Sequence, residues 1–189
     1  VAPCDPRELI VVTAMTGDEW AITGHLVEEH ILPHLADHQI RYAQVARAGP
    51  RQADGIAVLD DSRAPVRLHL GGAWKLSDEL RAAGTIPQLA GARKCSAKAK
   101  GQVIDTYLSR VTGGHRFRHA MGYEAGETAR ARRDTTYNTA ARTGIYPLVD
   151  WGWDRAACEA YIHRLTGVSW PKSSLWPPRP GVTGSSRST

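Results

Sequence analysis

Glu8 to Met15 (Glu-Leu-Ile-Val-Val-Thr-Ala-Met) is a short, nearly continuous apolar run with several β-branched residues. Such a run reads as a strand covered on both faces, the pattern of a parallel sheet. Thr16-Gly17-Asp18-Glu19 then turns the chain, and Thr16 or Asp18 stands where it caps the helix that follows. Trp20, Leu26, Val27, Ile31 and Leu35 recur at roughly helical spacing, with Pro33 blurring the helix end. Gln39 to Arg47 alternates apolar and polar residues and predicts a second strand. Strand, helix and strand at this spacing make one βαβ unit, for which a right-handed crossover is expected.

Further along, Gly49 to Asp54 reads as a loop, and Ile56–Leu59 and Val66–Leu70 as short strands. Leu76 to Ala83 predicts a brief helix ended by Gly84. Ser96 to Val111 is the second clear helix, capped by Ser96, with Val103, Ile104, Tyr107, Leu108 and Val111 as its buried stripe. Phe117 to Tyr123 predicts a third strand, Gly126 to Arg133 a short helix, and Gly144 to Val149 a strand or extended turn. Asp154 caps a last helix through Leu165, with Ala157, Cys158, Tyr161, Ile162 and Leu165 as its buried side. From Ser169 the chain turns rich in Pro, Gly and Ser without periodicity. That composition predicts a disordered tail over 169–189 behind a domain over 1–168.

Composition narrows the functional classes. The 189 residues suit one domain, and the formal charge of +5, from 24 basic and 19 acidic residues, suits a nucleotide or nucleic-acid ligand without requiring one. Cys4, Cys95 and Cys158 are far apart and odd in number, so neither a disulfide framework nor a metal knuckle is expected. No apolar run reaches membrane-spanning length and no leader pattern precedes the first strand, so a cytoplasmic protein with no membrane partner is expected. His30, His34 and His38 recur every four residues, but Pro33 interrupts them; a polar helix face is expected there, and no metal site. The signatures of elbow serine hydrolases, P-loop NTPases and Rossmann dehydrogenases do not occur.

Three short segments carry candidate chemistry. Arg93, Lys94, Lys98 and Lys100 surround the start of the 96–111 helix, where free N–H groups already favour an anion. A solvated basic face uses the same residues. In Gly122-x-x-x-x-Glu127-x-x-Arg130, Arg130 can fork onto phosphate oxygens and Glu127 can orient it, or the two form an ordinary ion pair. Thr16, Gly17, Asp18 and Glu19 follow the carboxyl end of a buried strand, where ligands bind in open α/β sheets. Asp18 and Glu19 there face a ribose or a metal-bound phosphate, or serve as helix caps. Trp151 and Trp153 either stack a base or pin their turn to the core.

In this order, Thr-Gly-Asp-Glu after a strand, Arg93-Lys-Cys-x-x-Lys98-x-Lys100, Gly122-x-x-x-x-Glu127-x-x-Arg130 and Tyr146-Pro-Leu-Val-Asp-Trp151 resemble the phosphoadenosine phosphosulfate (PAPS) reductase-like branch of the adenine nucleotide alpha hydrolase superfamily. The resemblance spans residues 8–172. It implies a Rossmann-like α/β/α sandwich with a mostly parallel sheet, binding ATP or PAPS, with Mg2+ as companion ion. Thr16, Gly17, Asp18 and Glu19 would lie near the nucleotide, Arg93, Lys98 and Lys100 would face phosphate or sulfate, and Glu127 and Arg130 would close the pocket. The chain departs from the family in three places. It lacks a Ser-Gly-Gly-x-Asp-Ser-type loop, so it reads as an N-terminally incomplete member without the first strand. It has no Glu-Cys-Gly nucleophile. After Trp170-Pro171-Lys172-Ser173 it runs into Ser174-Leu175-Trp176 instead of a Cys-x-x-Cys pair, which reads as a frame change. The expected function is adenine-nucleotide binding, with ATP α-phosphate hydrolysis, adenylyl transfer or sulfur-transfer chemistry in an intact relative; a sulfur-modified nucleic acid or a sulfur-transfer partner is the expected second party. The alternatives are a nucleic-acid-binding or partner module served by Arg130, Arg132, Arg133 and Arg142, and an inactive remnant.

Overall fold

Strand β1 (Ile10–Met15) pairs in parallel with β2 (Arg41–Arg47), Ile10 opposite Arg41 and Met15 opposite Ala46. The other edge of β2 pairs antiparallel with β3 (Ile56–Ser62), with a register irregularity at Gln44/Val45. The computed structural model describes residues 5–84 and 97–170. Within them β2 is the central strand of a three-stranded sheet of order β1-β2-β3, and a second, two-stranded sheet joins β4 (Phe117–Ala120) to β5 (Arg142–Ile145) in parallel. Among the described residues, the mostly parallel sheet expected from the sequence is seen as two sheets, of which the larger is mixed.

Alternation along β1 and β2 sorts the core into two layers. Met15, Tyr42 and Ala46 face Leu32, Leu35 and Leu68, whereas Ala14, Ala43 and Val45 face Val103, Tyr107 and Leu108. Helices thus cover both faces: α1 (Ala21–Leu26) and α2 (Leu32–Asp37) on one, α4 (Gln102–Thr112) on the other. Helix α3 (Leu76–Ala82) lies between them in sequence. The stripe expected of α4 is present: Val103, Tyr107 and Leu108 are buried, with Ile104 and Val111 packed against them. Each fully buried side chain of this size contributes about 1.5–3 kcal/mol.

Between α1 and α2 the backbone widens into a π-turn over Val27–Ile31, in which the Leu32 N–H reaches the Val27 carbonyl. Pro33 follows at the start of α2, having no N–H to give to the ladder. The extra residue rotates the apolar stripe. Leu32 and Leu35 enter the core, and Ile31, expected there from its spacing, is 38% exposed.

Val66–Leu70, expected as a strand, runs extended but joins no sheet. Its backbone is held by side chains instead. Fully buried Gln44 donates from Nε2 to the Arg67 carbonyl at 2.7 Å and accepts from the His69 N–H at 2.7 Å. Glu28 accepts from the Leu68 N–H at 2.8 Å. These bonds replace a ladder and carry Leu68 into the core.

The remaining elements are short: α5 (Thr128–Asp134), α6 (Pro147–Asp150) and α7 (Arg155–Thr166). The segment expected as a strand or turn over 144–149 divides, because β5 ends at Ile145 and Pro147 opens α6. Asp154 caps α7 as expected, accepting from the Ala157 N–H at 2.8 Å. The expected burial of its stripe is corrected: Ala157, Tyr161 and Leu165 are exposed, and Cys158 and Ile162 only half-buried. Spacing identifies the apolar side of a helix, but not whether another element lies over it. Trp153, against the Tyr161 ring at 5.0 Å, is the aromatic contact that holds α7.

Polar contacts tie α4 to the sheet edge. The Arg41 guanidinium makes two bonds of 2.7 Å to Asp61 and holds that carboxyl below the usual carboxylate range. The Tyr107 hydroxyl donates to the same carboxylate at 2.8 Å. Burial, then this hydrogen bond, pushes the Tyr107 phenol up to about 12 from 10.0. The unfolded chain releases that proton first, so the contribution is whole below pH 10 and is lost as pH rises toward 12. Stability measured between these limits should fall more steeply in the parent chain than in Tyr107→Phe. Gln44→Ala should lower unfolding stability by about 2–4 kcal/mol, since it strands two buried backbone groups and leaves a void. Urea unfolding, read by a shifted midpoint at unchanged slope, checks this.

Candidate functional site at the strand ends

Because β1 and β2 are parallel, their carboxyl ends, Met15 and Arg47, lie at one end of the sheet. The Thr16–Glu19 loop leaves from there. Thr16 is buried and donates from its hydroxyl to Glu19 at 2.8 Å. Gly17 has φ +85°, and a Cβ on it would come within 2.6 Å of the Lys75 side chain, so only glycine fits the turn. Asp18 accepts from the Ser77 N–H at 2.8 Å. It therefore caps α3, far along the chain, and not the next helix α1, whose N-cap Trp20 makes no side-chain bond.

The segment Gly71–Leu76 lies directly over these strand ends. The Leu76 N–H donates to the Thr16 carbonyl at 2.9 Å. A Cβ on Gly71 would stand 2.8 Å from the Gly17 Cα. Arg47, buried at the end of β2, donates to Glu79 and to the Pro50 carbonyl. Trp74 donates from Nε1 to the same Glu79 at 3.4 Å. What is left is a cavity of about 10 Å³ between Met15, Thr16, Arg47, Trp74, Leu76 and Ala99. That is room for a single water at most, whereas small-molecule sites run to roughly 300–1,000 Å³.

Ala99 brings the basic segment to the same place. It is buried against the strand ends within the π-turn Ala97–Gly101, with Lys98 exposed and Lys100 half-buried on either side. Arg93, with Cys95 and the expected cap Ser96, falls outside the described residues. The structure thus gathers Thr16, Gly17, Asp18, Glu19, Lys98 and Lys100 at one end of β1 and β2. Arg47, Trp74 and Glu79 belong to this end as well. The available signal for them was a charged residue closing strand β2.

Glu127 and Arg130 follow β4, in the turn and helix between the two strands of the second sheet. They pair with each other, and the Arg130 guanidinium lies 4.8 Å over the Tyr123 ring. Beneath them is a buried polar network. Arg142 donates to Asp134 at 2.8 Å, to His119 Nδ1 at 2.9 Å and to Asn138 at 3.2 Å, and the Tyr146 hydroxyl donates to Asp134 at 3.0 Å. An arginine can only donate, so His119 accepts at Nδ1 and carries its proton on Nε2. Burial, then the Arg142 charge, lowers its pKa. Arg142, expected to face nucleic acid, is instead buried in this ion pair.

Cys158 does not have the surroundings of a nucleophile. Burial pushes its thiol up, and Asp154, Glu124 and Glu159 push it further, the opposite of what stabilises a thiolate. Among the described residues no cluster of three or more His, Cys, Asp or Glu is placed to hold a metal ion, and no helix is long and apolar enough to cross a membrane. Compared with known proteins, the chain matches no family model, no curated protein and no solved structure.

Removing Asp134 should leave a buried guanidinium uncompensated. Asp134→Ala should therefore cost about 3–5 kcal/mol, and the double variant Asp134→Leu/Arg142→Met should recover most of it. Chemical denaturation of the three proteins checks the sign of the coupling.

Proposed function

We propose that the chain binds an adenine nucleotide in the manner of PAPS reductase-like proteins, with the phosphate tail met by Lys98 and Lys100 at the ends of β1 and β2. The observation that carries this reading is Ala99, buried beside Met15 and Thr16, which fixes both lysines at the carboxyl end of a parallel strand pair. In open α/β sheets that end is where ligands bind. The fold reading that goes with it is a Rossmann-like sandwich lacking one strand. Helices on both faces of the larger sheet support it.

ATP α-phosphate hydrolysis or adenylyl transfer suits these residues better than reduction of PAPS, because reduction needs a thiolate and Cys158, the cysteine among the described residues, has surroundings that oppose one. Lysines here would neutralise developing phosphate charge and position the tail. Asp18 and Glu19 are the acids of the strand-end loop, each with one carboxylate oxygen beyond its own bond for a nucleotide-borne Mg2+. Entry of the nucleotide requires Gly71–Leu76 to leave the strand ends, since the present cavity is water-sized.

A second reading, nucleic-acid binding, rests on Arg132 and Arg133, both exposed on α5. Its binding would fall steeply with salt. Calorimetric titration with ATP, and separately with PAPS, tests the first reading. Saturable binding that weakens about tenfold or more in Lys98→Ala/Lys100→Ala is expected. The absence of a saturable signal with either nucleotide would overturn it.

A further inference from the structure

A second feature lies beside α1, and neither Lys98 nor Lys100 is among its lining residues. Between α1 with its π-turn and the extended strap over 66–70 runs a groove of about 420 Å³. Gly24, His25 and Glu28 form one wall, and Arg67 and His69 the other. The volume is within the range of small-molecule sites, roughly 300–1,000 Å³.

Both walls are fixed from below. Gln44 and Glu28 hold the strap backbone at Arg67, Leu68 and His69 through bonds of 2.7, 2.8 and 2.7 Å. Leu68 is buried between exposed Arg67 and half-buried His69, both of which line the groove. Gly24 lets helix and strap approach closely, since a Cβ there would stand 3.1 Å from the Leu70 side chain. The strap's carbonyl at 67 and its N–H groups at 68 and 69 are already satisfied. The polar residues that line the groove are Arg67, His25, His69 and Glu28, and Glu28 bonds the strap through Oε1. Among the described residues no carboxylate makes an ion pair with Arg67, whereas His25 has Glu29 at 3.2 Å.

We infer that this groove is a binding site for a small molecule carrying a phosphate or sulfate group. A planar guanidinium takes such an oxyanion through two parallel N–H bonds, and the imidazoles of His25 and His69 add further donors. Glu28 Oε2 accepts from a hydroxyl of the ligand. Neither Lys98 nor Lys100 lines the groove, and the site stands whether or not a nucleotide binds at the strand ends.

The test is a nuclear magnetic resonance titration of the full chain with inorganic phosphate, inorganic sulfate and ribose 5-phosphate. The expected result is saturable shifts, sharing one constant, at the Arg67 side chain, the imidazoles of His25 and His69 and the amides of 68–71. Tighter binding of the sugar ester than of inorganic phosphate assigns its hydroxyls to Glu28; equal binding confines the seat to the oxyanion. Arg67→Ala should weaken binding about tenfold, and Lys98→Ala/Lys100→Ala should leave it unchanged. Arg67 is exposed, so its truncation should spare the fold; should that variant not fold, the map of shifts in the parent chain decides. No saturation with any of the three probes, shifts centred on Lys98 and Lys100, or unchanged affinity in Arg67→Ala would overturn the assignment.

Discussion

One buried amide organises the larger half of this protein. Gln44 sits on the central strand, where an apolar residue would ordinarily stand, and its side chain bonds two backbone groups of the strap. Buried peptide groups must find partners, and the strap finds them there and at Glu28 instead of in a sheet. With the strap held, Leu68 completes the core on that face. The chain then emerges at Gly71 directly over the strand ends. The closed ends of β1 and β2 and the open groove beside α1 both follow from where that strap is pinned.

Charge is distributed by the same rule of partnership. The arginines that reach the interior, Arg47 and Arg142, meet carboxylates and further acceptors. A buried charge without such partners would be prohibitively costly, and so these arginines are unavailable to a ligand. The exposed pairs Arg81–Asp78 and Arg155–Glu159 are helix-surface contacts of small energetic weight. Among the described residues, the unburied cations that the two sites use are Lys98 and Lys100 at the strand ends and Arg67 in the groove, and Arg132 and Arg133 are exposed on α5.

Much of the local structure was legible from spacing. The stripe Val103, Tyr107 and Leu108 faces the core because a 3.6-residue period on a long helix leaves little choice. The β1–helix–β2 unit was legible because a continuous β-branched run followed by a helix and an alternating run has few other solutions. The shift from Ile31 to Leu32 was not legible, because a π-turn moves the phase of a helix without an unambiguous sequence mark other than Pro33. Nor was the partner of Asp18. A cap is read locally, but Ser77 comes to it through the fold. Thr16 to Glu19 and the turn holding Lys98 and Lys100 meet at the strand ends, and Glu127 and Arg130 pair with each other as neighbours on one helical turn.

The sequence by itself determined β1, β2 and the long helix α4, the apolar side of that helix, and where cations cluster along the chain. These are properties of neighbours a few residues apart, set by backbone geometry and side-chain period. Only the tertiary structure decided that Arg142 is buried, that α7 keeps its apolar side uncovered, that the described strands lie in two sheets, and that Gly71 to Leu76 covers the strand ends. Each of these depends on which distant residue supplies a missing hydrogen bond or a covering surface, and no local pattern encodes that partner.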